Sequence, residues 1–262
     1  TKIVMLTGPS ASGKTTTAHK LAEELVRQGM PARVVSLDNF FRGAEYYPRM
    51  PDGTTDYENL ETLDLPLVNQ CIKELCETGK TVLPIYDFVQ EARSAETEPV
   101  DLMGGVCIVE GIHAFNPALT SLVPAKEVYR VYAGLREEYC EEGRRVINTQ
   151  NIRLCRRMLR DAATRGRSPA KTLSMWDRVL DGETRYIKGF KSSADFLLDT
   201  SFTYELGIIA QLLQIVRRQF TLEGHNAELW DDTARRFEHV QPLPLELLPE
   251  DSMLREFYPP QA

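Results

Sequence analysis

The chain has 262 residues, of which 31 are lysine or arginine and 38 are aspartate or glutamate, so its formal net charge is −7. This length fits one large or two small domains, and 42% hydrophobic with 26% charged residues is typical of a soluble globular protein. The acidic balance argues against nucleic-acid binding, which needs clustered lysine and arginine. No apolar run approaches the roughly 20 residues that cross a bilayer. We therefore expect no nucleic-acid partner and no membrane span.

The cysteines and histidines show no pattern of a disulfide framework or a metal site. The five cysteines are odd in number and lack paired zinc-ligand spacing, and the four histidines are scattered along the chain. Free thiols in a reducing compartment are the better interpretation, which predicts a cytoplasmic protein. The first residue is Thr1 rather than methionine, so a larger parent protein stays open.

Short apolar runs alternate with segments of helical spacing along most of the chain. The predicted strands are residues 2–7, 32–37, 106–109 and 127–133, with further short runs at 81–85 and 195–199. The predicted helices are residues 15–28, 63–79, 152–164, 169–180 and 204–220. This alternation predicts an α/β fold with a doubly wound, mostly parallel sheet flanked by helices.

Three segments are predicted to be irregular. Residues 42–58 contain several glycines and prolines and form a long loop, a kind of segment that is often functional in compact domains. Residues 90–101 are a polar loop, and the chain from residue 223 onward is rich in proline. We therefore predict one domain over residues 1–222 and an extension over residues 223–262 that packs on it.

The clearest motif is GPSASGKT at residues 8–15, which fits the phosphate-loop pattern G-x-x-x-x-G-K-[ST]. It follows a predicted strand and opens a predicted helix, where backbone N–H groups and the helix dipole attract phosphate oxygens. Lys14 would reach the β- and γ-phosphates, and the Thr15 hydroxyl would ligate Mg²⁺. The predicted nucleotide-binding residues are Gly8, Ser10, Ala11, Ser12, Gly13, Lys14, Thr15 and Thr16.

Two acidic residues follow predicted strands. Ligands of doubly wound folds bind outside the carboxyl ends of the strands, so Asp38, after the second strand, should face the phosphate loop. Alternatively, Asp38 is a turn residue. Glu110 ends a buried strand, as the Mg²⁺-supporting acid of phosphate-loop enzymes does.

A dense group of arginines follows in the second half of the chain. Arg153, Arg157 and Arg160 share one face of a predicted helix by i+4 and i+3 spacing, and the chain continues to Arg165 and Arg167. This stripe is either a solvated face or a lid whose guanidinium groups stabilise charge on a transferring phosphoryl group.

At this point the chain resembles the uridine kinase/phosphoribulokinase family of P-loop kinases. The segments that carry the resemblance are SLDNFF at 36–41, PIYDF at 84–88, VEGIHA at 109–114, RRMLRD at 156–161 and RGR at 165–167. Further segments at 172–176, 182–183, 186–187 and 252–257 are similar to a bacterial nucleoside-kinase branch. The resemblance implies a P-loop kinase fold with an arginine-rich helical lid, and transfer of a phosphoryl group from ATP with Mg²⁺ to a nucleoside 5′-hydroxyl.

The resemblance also implies roles for the matching residues. Asp38 would accept the 5′-hydroxyl proton and help to hold Mg²⁺. Since a carboxylate with a pKa near 4 is too weak to remove that proton beforehand, it would take the proton late. The implied substrate-binding residues are Asp56 and Arg157 at the ribose and Tyr86 at the base, to which we add Arg93. The implied Mg²⁺-linked acid is Glu110, and the implied phosphate-binding lid consists of Arg160, Arg165 and Arg167.

One position departs from the family pattern. Glu91 stands where pyrimidine-specific members have a histidine, and a carboxylate only accepts hydrogen bonds. Glu91 therefore either favours a base edge with two N–H donors, such as that of guanine, or points into water. A purine nucleoside is accordingly a candidate substrate.

Two other functions stay open at this stage. A kinase of a sugar phosphate or other small alcohol would need cations for the acceptor phosphate, for which the loop at 42–58 offers Arg42 and Arg49. A module that only senses ATP would not need Asp38 as a base. The expected partner is a small-molecule nucleoside, and the sequence is compatible with a homo-oligomer.

Overall fold

Strands and helices alternate in the computed structural model, which describes residues 1–87, 90–164, 166–219 and 223–258. The strands are β1 (Ile3–Thr7), β2 (Ala32–Ser36), β3 (Lys80–Asp87), β4 (Ala92–Asp101), β5 (Val106–Glu110), β6 (Val128–Gly134), β7 (Tyr139–Glu141), β8 (Arg144–Ile147) and β9 (Phe196–Asp199). The helices are α1 (Lys14–Arg27), α2 (Leu65–Thr78), α3 (Thr149–Thr164), α4 (Pro169–Ser174), α5 (Trp176–Tyr186), α6 (Glu205–Gln219) and α7 (Gly224–Arg235).

The chain divides into two compact units. Unit 1 consists of Thr1–Pro9, Lys14–Ala133 and Asp181–Leu198. Unit 2 consists of Ser10–Gly13, Gly134–Leu180 and Asp199–Ala262. The units interleave along the chain, and four residues of the phosphate-loop motif belong to unit 2. The division of the chain at residue 222 stays a prediction.

Unit 1 is built on a five-stranded, mostly parallel sheet with the strand order β2-β5-β1-β6-β9. β1 pairs in parallel with β5 and β6, and β2 pairs in parallel with β5. The register places Leu6 of β1 and Ser36 of β2 opposite Glu110 of β5. The carboxyl ends of these three strands therefore meet at one edge of the sheet, and the predicted α/β fold is confirmed.

Both faces of this sheet are covered by apolar side chains. In β1, Ile3 and Met5 belong to one buried cluster, which includes side chains of α2. Val4 and Leu6 belong to a second cluster, which includes Ala18 of α1. Parallel strands that are buried on both faces appear as continuous apolar runs rather than as alternating ones. This burial explains why the central strands were visible in the sequence.

The polar segment at 90–101 was wrongly predicted to be a loop. It forms β4, which pairs antiparallel with β3 in a separate two-stranded sheet. Most β4 side chains are exposed or half-buried, so the segment lacks the apolar signal of a buried strand. Its strand conformation comes from backbone hydrogen bonds to β3, which a search for apolar runs cannot detect.

Two helix predictions also differ from the structure. The chain after residue 223 was predicted to be irregular, but residues 224–235 form α7, which buries Trp230, Thr233 and Ala234. The predicted helix at 169–180 consists of two helices, because α4 ends at Ser174 and α5 begins at Trp176.

Unit 2 is mainly helical. Its apolar cluster combines side chains of α3, α4, α6 and α7 and is built around residues such as Ile152, Leu173, Ile209 and Trp230. The hairpin of β7 and β8 belongs to the same unit. In the part of the chain that the structure describes, every helix is too short or too polar to span a membrane.

Candidate functional site

The loop between β1 and α1 is tightly turned. Ala11 has a φ of 58° and Gly13 a φ of 84°, both in the left-handed region. This conformation costs a residue other than glycine about 1–2 kcal/mol, so the contacts of Ala11 must hold it there. In unit 1, the Lys14 ammonium donates to the carbonyl oxygen of Pro9 over 3.1 Å. The lysine head thus lies against the first residues of the loop.

The other motif residues differ in exposure. Gly8 is buried, Ser10 and Thr16 are half-buried, and Thr15 is exposed in the first turn of α1. Ser12 is fully buried, and its hydroxyl has no hydrogen-bond partner among the described residues. A buried hydroxyl without a partner is costly, and a phosphate oxygen bound in the loop would satisfy it. This orphaned group fits the predicted nucleotide.

Two of the predicted acidic residues are connected through a serine. The Ser36 hydroxyl donates to Glu110 Oε1 over 2.7 Å and accepts from the backbone N–H of Asp38 over 3.4 Å. Glu110 is 5% exposed, whereas Asp38 is exposed in the short 3-10 helix Leu37–Phe40. Sequence analysis missed Ser36, although a serine before this helix is a typical N-cap.

The same region suits Mg²⁺ chemically. No group of three or more His, Cys, Asp or Glu side chains with metal-site geometry occurs among the described residues. Mg²⁺ is commonly held by one or two carboxylates, waters and substrate phosphates rather than by an all-protein cage. Asp38 and Glu110, at the carboxyl ends of neighbouring strands, provide such oxygen ligands.

Asp56, from the long loop, forms a polar cluster with two residues that sequence analysis missed. The Tyr186 hydroxyl donates to Asp56 Oδ2 over 3.0 Å, and the Asn59 amide contacts the same oxygen at 3.4 Å. Burial and the hydrogen bond to Asp56 raise the pKa of Tyr186. Tyr186 lies in the segment 186–187, which contributes to the family resemblance. This resemblance was the feature of the sequence that could have identified Tyr186.

His113 lies beside this cluster, with its ring centroid 5.7 Å from that of Tyr186. It is only 2% exposed. Burial lowers the pKa of His113 to about 4, against the opposing effects of the Glu58 backbone and Asp56. The imidazole is therefore neutral at pH 7.

Tyr86, the predicted base contact, belongs to an aromatic cluster in unit 1. Its hydroxyl lies 3.1 Å from that of Tyr47, and its ring centroid lies 5.6 Å from that of Phe41. Tyr57 packs edge-on against Tyr47 at 5.7 Å. Burial, followed by the hydrogen bond to Tyr86, raises the pKa of Tyr47. The long loop thus contributes Tyr47 and Tyr57 to this cluster.

The two other predicted substrate contacts are Glu91 and Arg93. Glu91 is exposed with a φ of 49°, and its charge is one of the smaller influences that raise the pKa of Tyr47. Arg93 forms an ion pair of 3.1 Å with Asp64, whose other carboxylate oxygen caps α2. Arg93 therefore has a structural partner, and its contact with substrate stays a prediction.

The arginines of α3 are buried rather than solvated. Arg153, Arg156 and Arg157 are at most 7% exposed. Arg153 donates to the carbonyl oxygen of Ser10 over 3.3 Å, and Arg157 donates to the Ser10 hydroxyl over 2.6 Å. Arg156 donates to the carbonyl oxygen of Ala11 over 3.4 Å. The alternative of a solvated face is wrong for these three residues, since each contacts the phosphate loop.

The remaining lid residues are described in part. Arg160 donates to Asp161 over 2.9 Å and lies 3.9 Å from Glu256. The backbone N–H of Arg167 donates to the carbonyl oxygen of Asp161, and its side chain is exposed. Arg165 lies outside the described residues. Asp56 belongs to unit 1 and Arg157 to unit 2, so the predicted ribose clamp stays a prediction.

Comparisons with known proteins agree with these features. The phosphoribulokinase/uridine kinase family model matches residues 3–126. A uridine kinase from Lactobacillus helveticus is 29% identical over 201 residues, 75% of this chain and 85% of that protein. A uridine kinase from Saccharomyces cerevisiae is 28% identical over 201 residues, 75% of this chain but only 36% of that longer protein.

The fold is also similar to solved kinase structures. Phosphoribulokinase from Rhodobacter spheroides superimposes with a TM-score of 0.52 and 20% identity, covering 77% of this chain and 72% of that one. This likeness concerns the fold alone. The family match and the uridine kinase relatives show an ATP-dependent kinase whose residues 3–126 are similar to the phosphoribulokinase/uridine kinase family.

Proposed function

We propose that the chain transfers a phosphoryl group from ATP to the 5′-hydroxyl of a nucleoside, with Mg²⁺ as the metal. The observation that carries this proposal is the arrangement at the sheet edge of unit 1. Asp38 and Glu110 are connected through Ser36 at the carboxyl ends of β2 and β5, next to the end of β1 that leads into the phosphate loop. Ligands of doubly wound folds bind at this edge.

The nucleotide contacts follow from the loop. Residues 8–16 would bind ATP, with Lys14 at the β- and γ-phosphates and with a phosphate oxygen near the Ser12 hydroxyl, which has no partner among the described residues. Thr15, Asp38 and Glu110 would hold Mg²⁺, which neutralises charge on the phosphate oxygens. Arg160, Arg165 and Arg167 complete the proposed phosphate-binding set.

Asp38 is the proposed catalytic base. Its exposed carboxylate would accept a hydrogen bond from the acceptor hydroxyl and orient it toward the γ-phosphate. The proton would pass to Asp38 late, when the oxygen has begun to bond to phosphorus and has become more acidic. Most of the rate then comes from positioning and from stabilisation of phosphate charge.

The acceptor contacts are proposed from two clusters in unit 1. Asp56, with its partners Tyr186 and Asn59, offers a carboxylate oxygen to ribose hydroxyls. Tyr86 and Phe41, whose rings form an edge-on pair, would contact the base. Arg157 is the proposed second ribose contact.

The test is a screen of ribonucleosides, 2′-deoxynucleosides and sugar phosphates for ADP release with ATP and Mg²⁺. We expect turnover with at least one ribonucleoside and weaker turnover with its 2′-deoxy analogue. Turnover with sugar phosphates alone would replace the proposed acceptor, and ATP binding without turnover on any acceptor would indicate a sensor.

Lysine variants of α1 control the screen. Lys14→Ala should lower kcat by about 10³-fold, because it removes the charge at the β- and γ-phosphates. The matched variant Lys20→Ala, at an exposed position of the same helix, should leave kcat unchanged. Residual activity above one tenth in Lys14→Ala would contradict the assignment of the loop.

We also propose a cytoplasmic location and a homo-oligomer for this protein. Cell fractionation tests the location, and light scattering tests the oligomeric state.

A further inference from the structure

We propose that residues 252–258, here called the support segment, together with Arg156 hold the phosphate loop in its nucleotide-binding conformation. These are positioning residues, because they act through Ala11 and Gly13 and not on the substrate. The inference rests on the proposed binding of ATP by the loop. All residues involved belong to unit 2.

Arg156 is the centre of a buried hydrogen-bond network. It is completely buried, and its guanidinium donates to both carboxylate oxygens of Glu205 over 2.6 Å each. It also donates to the carbonyl oxygens of Thr200 over 2.8 Å and of Ala11 over 3.4 Å. Although burial works to lower the pKa of Arg156, the Glu205 carboxylate raises it. Arg156 is therefore always charged, and its planar guanidinium donates hydrogen bonds in fixed directions.

The support segment contributes two further contacts to this network. The Tyr258 hydroxyl donates to Glu205 Oε1 over 2.7 Å, and the Phe257 ring centroid lies 4.9 Å from the centre of the Arg156 guanidinium. Burial and the negative charge of Glu205 raise the pKa of Tyr258 well above its ordinary value, so the hydroxyl stays a donor. A continuous chain of contacts therefore runs from Tyr258 through Glu205 and Arg156 to Ala11.

A second contact joins the support segment to the loop independently. Met253 packs against Gly13, where an added Cβ would collide with the Met253 methyl group. Gly13 also has a φ of 84°, which disfavours any other residue. Ser252 caps the 3-10 helix Met253–Glu256, in which Met253 is the first residue, because its hydroxyl accepts from the N–H of Leu254 over 3.2 Å.

These contacts explain how the loop keeps a strained residue. Ala11 has a φ of 58° and is 4% exposed. It lacks the conformational freedom of glycine and has little contact with water, so neither of these offsets its backbone strain. With the carbonyl oxygens of Ser10 and Ala11 held by arginines, the loop is preorganised before ATP arrives. Weakening the support would let the loop relax, and ATP binding would then have to restore its conformation. The defect should therefore appear in ATP affinity and not in acceptor affinity.

Tyr258→Phe tests this directly, because it removes one hydroxyl at the far end of the network and keeps the ring. A hydrogen bond to a charged group corresponds to about a tenfold change in an equilibrium, so we expect the Kd of ATP to rise about tenfold. The KM of the acceptor should stay unchanged. The matched control is Tyr139→Phe in the same unit, which removes a hydroxyl that donates to Glu137 over 3.0 Å and should leave the Kd of ATP unchanged.

Met253→Ala is the second variant and tests the other contact. It removes the side chain behind Gly13 without touching the Arg156 network, and it should raise the Kd of ATP as well. Isothermal titration with ATP and thermal unfolding are measured on all variants. A Kd of ATP that is unchanged in both Tyr258→Phe and Met253→Ala, while the parent protein binds ATP, would overturn this inference alone. A parent protein that binds no ATP would overturn the proposed function as well.

Discussion

The proposed base of unit 1 and the central cation of unit 2 lie in opposite environments. In unit 1 the proposed base, Asp38, is exposed on a short 3-10 helix, and its backbone N–H donates to the Ser36 hydroxyl. In unit 2 the central cation, Arg156, is completely buried between Glu205, Thr200 and the Ala11 carbonyl. An exposed carboxylate can exchange water for substrate, whereas a buried ion pair can only keep its partners.

This difference separates residues that act on substrate from residues that hold the site in place. Replacing an exposed acid should reduce catalysis and leave folding intact, because water solvates whatever remains. Replacing one member of a buried ion pair should reduce stability, because the other charge is left without compensation. The four predictions below test this separation, from the largest expected effect to the smallest.

The largest effect is expected for Arg156→Met. The variant leaves the Glu205 carboxylate buried without its cation, which should lower the free energy of unfolding by about 3–5 kcal/mol. Urea denaturation measures the change. Arg144→Met, at an exposed position of β8, is the control and should change the free energy by less than about 0.5 kcal/mol. If Arg156→Met lowers the free energy of unfolding by less than about 1 kcal/mol, the buried ion pair of unit 2 does not hold the structure in the way proposed.

Asp38→Asn should show the reverse pattern. The amide keeps the shape of the side chain but cannot take a proton, so kcat should fall by about 10²-fold. The Kd of ATP and the urea midpoint should match those of the parent protein. Asp52→Asn, in the exposed part of the long loop, should leave kcat unchanged. A decrease of less than tenfold in Asp38→Asn would make Asp38 a turn residue only.

His113 gives unit 1 a buried group whose effect depends on pH. Burial depresses its pKa to about 4 from an ordinary value of 6.5, so the unfolded chain binds the proton more readily. Above pH 6.5 the imidazole is neutral in the folded and the unfolded chain, so its burial does not lower the free energy of unfolding. As the pH falls from 6.5 toward 4, the unfolded chain binds the proton first, and the free energy of unfolding decreases by about 2 kcal/mol by pH 5. We expect His113→Gln to lose less stability between pH 7 and pH 5 than the parent protein, as measured by urea denaturation. Parallel pH profiles would show that His113 does not titrate in this way.

The smallest effect is expected for Glu91→His. Glu91 is exposed, so its charge should change the relative kcat/KM of nucleosides by at most about fivefold. The direction should be toward uridine and cytidine, because histidine can donate a hydrogen bond to a carbonyl oxygen of the base. Competition between uridine and guanosine measures the ratio. An unchanged ratio would assign Glu91 to the solvated surface.

Local patterns in the chain were sufficient for the fold class and for proposing part of the candidate site. The central strands were recognisable because burial on both faces demands continuous apolar runs, and the phosphate loop because its glycines and lysine occur at fixed spacing. Asp38 and Glu110 were predicted as site residues because each directly follows or ends such a strand. β4 was missed because its pairing with β3 depends on backbone hydrogen bonds, which no side-chain pattern records.

The amino-acid sequence by itself determined the sheet, the phosphate-loop motif and the likeness to a kinase family, since these follow from residues that are close along the chain. Only the tertiary structure decided which side chains support the loop. Ser36 and Glu110 are 74 residues apart, and Arg156 and Glu205 are 49 residues apart. An arginine-rich helix has the same sequence pattern whether its charges face water or a carboxylate. Burial and pairing depend on distant segments, and folding alone brings those segments together.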